Sequence, residues 1–154
     1  MKLPPCGLYR TTGNIGSIPG GRLVYFHNHG DPGPGLYLPA SWRGNRMQTE
    51  PRGTLLASPE DVRFLEPLSP EGFYRVVDAF HCCAKQCRRF EIDALVQLGY
   101  DATGQAIVFE PEIVNGMLAV PEQGSRIDHE HLSRLKLLKV AVQPGSAGAA
   151  AEPH

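Results

Sequence analysis

The chain has 154 residues, 15 basic and 16 acidic side chains, a formal charge of −1 and 42% hydrophobic residues. That length suits one domain with a core of its own, and the near-neutral balance sets up no field that would draw nucleic acid or an anionic membrane surface. Seventeen glycines and 14 prolines argue against long helices, because proline removes a backbone donor and glycine adds entropy cost.

No apolar run approaches the roughly 20 residues of a membrane span. The opening Met1-Lys2-Leu3-Pro4-Pro5-Cys6 lacks the apolar stretch of a secretory leader. Four cysteines in such a chain point to a reducing compartment. The vicinal pair Cys82-Cys83 agrees, since adjacent cysteines close only a strained ring. A cytoplasmic protein is expected.

In chain order, Leu8 to Thr12 reads as a short strand and Thr12 to Gly21 as a turn-rich connection. Arg22 to His29 is a strong strand with both faces largely apolar at first. Gly30 to Gly35 is a stiff loop. Leu36 to Leu38 is extended again, and Ala40 to Arg52 is polar with no clear period, with room for one helical turn. Thr54 to Ala57 and Val62 to Glu66 are weaker strands about the turn Ser58-Pro59-Glu60-Asp61. Phe73 to Cys83 is a long extended run. Arg89 to Leu98 alternates, with Phe90, Ile92, Ala94, Val96 and Leu98 on one face. Asp101 to Gly104 forms a hairpin loop, from which Gln105 to Phe109 pairs back. Met117 to Val120 adds a short strand. From Ser125 to Val142 the pattern fits a short helical turn at 128–133 followed by a strand.

Short strands with turns at intervals of about ten residues predict a mainly β fold, a small barrel or sandwich of short antiparallel strands with at most one or two short helices. Residues 1–142 form a single β-rich domain on this reading, and 143–154 an Ala/Gly/Pro-rich disordered tail. The tripeptides Gly7-Leu8-Tyr9, Gly35-Leu36-Tyr37 and Gly72-Phe73-Tyr74 echo one another. Their spacing is uneven, which reads as a turn-then-strand idiom and not as a duplication.

Two groups of residues carry possible chemistry. His81, Cys82, Cys83 and Cys87 crowd one corner between strands, and thiolate and imidazole are the ligands of a closed zinc site. Cys6, His27, His29, His129 and His131 are the possible further ligands. The competing account is that small cysteines fill a core. A third is a reactive thiol, Cys82 or Cys87, activated by Lys85, Arg88 and Arg89.

The second group is His27-Asn28-His29, whose imidazoles share one face of a strand and can hold an ion with an open position. With Gly21 ahead of it, this stretch resembles the opening of a cupin metal motif, and it is similar to the His-x-His of JAB/MPN-type metalloproteases. The cupin glutamate would fall where Gly33 and Pro34 stand, and the metalloprotease serine and aspartate where Tyr37 and Ala40 stand. Neither motif is complete. His129-Glu130-His131 reads as a solvated turn.

With no complete catalytic motif, the leading expectation is a non-catalytic β-barrel binding or assembly module, meeting a protein partner or its own copies. The alternatives are a small zinc protein using His27, His29, His81, Cys82, Cys83 and Cys87, and a thiol redox protein.

Overall fold

The computed structural model describes residues 2–30 and 32–143. The first half begins with β1 (Gly7–Thr11), β2 (Leu23–His27) and β3 (Gly35–Tyr37). A hairpin of β4 (Pro39–Arg43) and β5 (Arg46–Thr49) follows, then β6 (Thr54–Leu55), a 3-10 turn at Pro59–Phe64 and β7 (Leu65–Pro67). All but the hairpin assemble into an antiparallel sheet of order β6-β3-β2-β1-β7.

The second half runs β8 (Gly72–Val76), a two-residue pair β9 (Phe80–His81) and β10 (Arg89–Phe90), β11 (Leu95–Tyr100) and β12 (Ala106–Phe109). It ends with the hairpin β13 (Glu112–Val114) and β14 (Met117–Ala119), β15 (Ser125–Arg126), a 3-10 turn at His129–Arg134 and β16 (Leu135–Leu137). Its main sheet has the order β15-β12-β11-β8-β16.

These are the same arrangement twice. β8, β11, β12, β15 and β16 take the places of β1, β2, β3, β6 and β7, and the register agrees pair by pair. Tyr9 lies opposite Val24 as Tyr74 lies opposite Val96, and Gly7 opposite Phe26 as Gly72 opposite Leu98. Single bonds repeat too. Tyr9 donates its hydroxyl to the Pro5 carbonyl at 2.7 Å, and Tyr74 donates to Pro70 at 2.6 Å. The first and last members of the three-fold echo are therefore equivalent positions, and the reading against a duplication is corrected. The middle member, Gly35-Leu36-Tyr37, lies on β3 and belongs to no repeat boundary.

Two apolar clusters form the interior. Tyr9, Ile15, Ile18, Val24, Phe26, Leu36 and Leu65 fill the first repeat. The larger cluster fills the second repeat and takes in Leu23 and Met47 from the first, with Leu8 and Tyr25 against it. β1 and β2 therefore face a core on both sides. This is why the sequence of β2 is apolar on both faces. Each such large side chain contributes about 1.5–3 kcal/mol on burial.

The chain is mainly β, with antiparallel pairing and two short 3-10 turns, but no sheet among the described residues closes into the expected barrel. Other local readings change as well. Ala40–Arg52 is mostly hairpin and not helical turn, because Gly44 and Asn45 supply two consecutive positive-φ residues (58° and 64°) for a tight two-residue loop. Residues 62–64 fall in a 3-10 turn begun by Pro59. The alternating run 89–98 is broken by a turn in which Asp93 takes φ 69°, leaving Ile92 exposed. β13 lies where no strand is expected. The 3-10 turn and strand at 129–137 follow the expectation. The tail at 144–154 lies outside the described residues. No helix among them is long and apolar enough to cross a membrane.

Candidate functional site

Antiparallel register brings the first cluster together. Gly7 pairs with Phe26, so Cys6, one residue earlier, lies beside His27, one residue later. His29 follows two residues on. Cys6 Sγ stands 3.4 Å from His27 Nδ1 and 3.8 Å from His29 Nδ1. The two imidazole centroids are 4.1 Å apart. One ligand atom from each of the three residues lies within 4.8 Å of the others.

Asn28 organises the trio from between the histidines. Its backbone N–H donates to Cys6 Sγ at 3.3 Å, and its Oδ1 accepts the Cys6 thiol at 3.2 Å and faces His29 Nδ1 at 2.8 Å. Its Nδ2 donates to the Pro4 carbonyl, which together with the Tyr9–Pro5 bond fixes the segment that carries Cys6. Burial and then the neighbouring Cys6 raise the Tyr9 and Tyr25 phenols above their ordinary range. Cys6 and His27 are half-buried and His29 is exposed.

The second cluster is the thiol corner between β9 and β10. Cys82 N–H donates to the Arg88 carbonyl, and Gln86 closes the turn at φ 55°. Cys82 is buried, Cys83 half-buried and Cys87 exposed, and all are free thiols. Cys82 Sγ lies 3.6 Å from Cys83 Sγ and accepts the Arg88 backbone N–H at 3.3 Å. One sulfur from each of the three lies within 4.8 Å of the others.

The thiol whose pKa falls is Cys83. The Lys85 backbone N–H is the main cause, ahead of Cys82. Cys87 is pushed up, chiefly by Cys83 beside it. The charges of Lys85, Arg88 and Arg89 are not among the causes that move Cys83 or Cys87, and Arg88 pairs with Glu110 and Arg89 with Glu91.

His81 lines an open cavity of about 350 Å³ together with Cys83, Asp128 and His131. Asp128, Glu130 and His131 form a third possible ligand set. His131 is held by stacking on Phe80, with ring centroids 5.1 Å apart, so this segment is not simply a solvated turn.

The expected residues therefore separate into two places. His27 and His29 join Cys6, and Cys82, Cys83 and Cys87 join one another. The histidine pair adds nothing to the thiol corner. Cys6 was only a possible extra ligand for that corner in the sequence. The signal that places it with His27 is its position directly before β1, which becomes decisive once β1 is paired with β2. No family model, curated protein or solved structure matches the chain.

Proposed function

We propose that the protein is a non-catalytic β-rich binding and assembly module whose first repeat holds one zinc-class cation through Cys6, His27 and His29. One observation carries the metal reading. Tetrahedral zinc with sulfur at about 2.3 Å and nitrogen at about 2.0–2.1 Å has sulfur–nitrogen edges of about 3.5 Å. The two Cys6–imidazole separations are 3.4 and 3.8 Å. A thiolate and two imidazoles also suit zinc by softness.

Asn28 fits the role of an outer partner. Its N–H donates to the sulfur, and its Oδ1 accepts the thiol proton that metal binding would expel. Affinity should therefore rise with pH. Three protein ligands leave a fourth position for water or a partner's side chain.

Elemental analysis of untagged protein purified under reducing conditions tests this reading. About one zinc per chain is expected, lost in Cys6→Ser and retained when Cys82, Cys83 and Cys87 are all changed to serine. Metal-free native protein that also fails to take up added zinc would end the proposal.

A second reading rests on the lowered Cys83 thiol within three converging sulfurs. On that reading the corner is a reactive-thiol or second soft-metal site, with Cys83 the residue that alkylates first. Mass mapping of limited alkylation decides: modification starting at Cys6 or Cys87 would remove it.

A further inference from the structure

The β4–β5 hairpin of the first repeat is an interface within the molecule. Trp42 and Met47 lie opposite each other on it. Trp42 Nε1 donates to the Tyr100 carbonyl at 2.8 Å, and Met47 enters the second repeat's core at 9% exposure. At its tip, Asn45 donates to the Gln97 side chain and to the Pro121 carbonyl, while Gln97 donates back to Gly44.

The β13–β14 hairpin is its counterpart. Both hairpins close with two positive-φ residues: Gly44 and Asn45 in the first, Asn115 (51°) and Gly116 (78°) in the second. Counting back from the tip, Ile113 and Leu118 are the opposed pair that stands where Trp42 and Met47 stand. Among the described residues no repeat covers this apolar pair. Ile113 is 71% and Leu118 59% exposed, with Val114 and Met117 also exposed. Four large apolar side chains on an eight-residue hairpin do not serve solubility. The two-stranded sheet has open edges as well.

Two occupants from a second copy are conceivable, and one is blocked. A head-to-tail contact would seat β13–β14 on the other copy's first repeat, as β4–β5 sits on the second. That docking depends on Gly99, where an added Cβ would lie 2.8 Å from the Asn45 carbonyl oxygen. The register places His27 at this position in the first repeat. A side chain stands there, where the equivalent docking in the second repeat has no room for a Cβ.

The patch itself is self-complementary, apolar at its centre with open strand edges, as an isologous contact requires. We propose that β13–β14 packs against β13–β14 of a second copy about a two-fold axis, giving a closed dimer centred on Ile113 and Leu118. The proposal deepens the assembly part of the proposed function and is independent of the metal, so the dimer should form equally in chelator.

Light scattering of the full chain over a wide concentration range, with and without chelator, tests it. A monomer–dimer equilibrium is expected, and Ile113→Asp with Leu118→Asp should give a folded monomer whose melting midpoint matches that of the wild type diluted to monomer and does not change with concentration. Hydrogen exchange on the wild type gives a second readout: amides of 112–119 should gain protection as concentration rises, including at the open edges. A monomer at every concentration overturns the proposal, as does a dimer indifferent to the substitutions or an open-ended polymer. Hairpin amides protected equally at all concentrations, as if covered by residues 144–154, also overturn it.

Discussion

Position for position, Cys6, His27 and His29 stand where the second repeat has Glu71, Gly99 and Asp101. The second repeat uses the first two of these places to receive the β4–β5 hairpin: Glu71 accepts the Met47 N–H at 2.9 Å, and Gly99 leaves room for Asn45. The first repeat has no hairpin to receive and holds a thiol and two imidazoles instead. Burial pushes Glu71 up to about 7, against the Met47 N–H and Arg46, which pull it down. An unfolded-chain glutamate titrates near about 4.3, so between about pH 4.3 and 7 the native state binds the extra proton and stability falls as pH rises. Glu71→Gln should flatten that slope and raise stability at about pH 8 by up to about 3 kcal/mol, read from denaturant midpoints. An unchanged slope would mean the carboxyl is solvated.

Elements fold alike in the two repeats because the same local features recur. A Cβ at Gly53 would lie 2.8 Å from the Leu36 carbonyl oxygen, and one at Gly124 2.5 Å from that of Val108. Both glycines let the short outer strands, β6 and β15, lie close to β3 and β12. Gly53→Ala and Gly124→Ala should each cost about 1–3 kcal/mol by thermal or chemical denaturation. A neutral result at both would show that the outer strands are not held so tightly. The two tyrosine hydroxyls offer a sharper contrast. Tyr9→Phe and Tyr74→Phe should each cost about 0.5–1.5 kcal/mol, but only Tyr9→Phe should weaken zinc binding, because only Pro5 adjoins a proposed ligand. Equal affinity in Tyr9→Phe and wild type would uncouple that bond from the cluster.

For the molecule as a whole, much of the β character was legible in the residues. Alternation and turn chemistry locate β1, β2, β12 and the Asp101–Gly104 loop, since those signals are local. What escaped is non-local. The duplication is hidden because strand order and register persist while side chains do not. Phe26 matches Leu98 and Leu36 matches Val108, so size and greasiness are kept without identity. The Arg89–Leu98 run misleads because the turn at Asp93 is compatible with alternation on either side of it. Of the candidate site, residue types were readable but partnership was not: Cys6 reaches His27 only through a strand pairing across more than a dozen intervening residues.

The central claim is that one thiol and two imidazoles of the first repeat bind metal together, and cobalt(II) absorption spectroscopy tests it most directly. Metal-stripped protein titrated with cobalt should develop a thiolate-to-metal charge-transfer band that saturates near one equivalent. The band should disappear in Cys6→Ser, weaken in His27→Ala and His29→Ala, and persist when Cys82, Cys83 and Cys87 are all serine. A band that survives Cys6→Ser and vanishes with the three corner cysteines would contradict the account, and so would no band in the wild type.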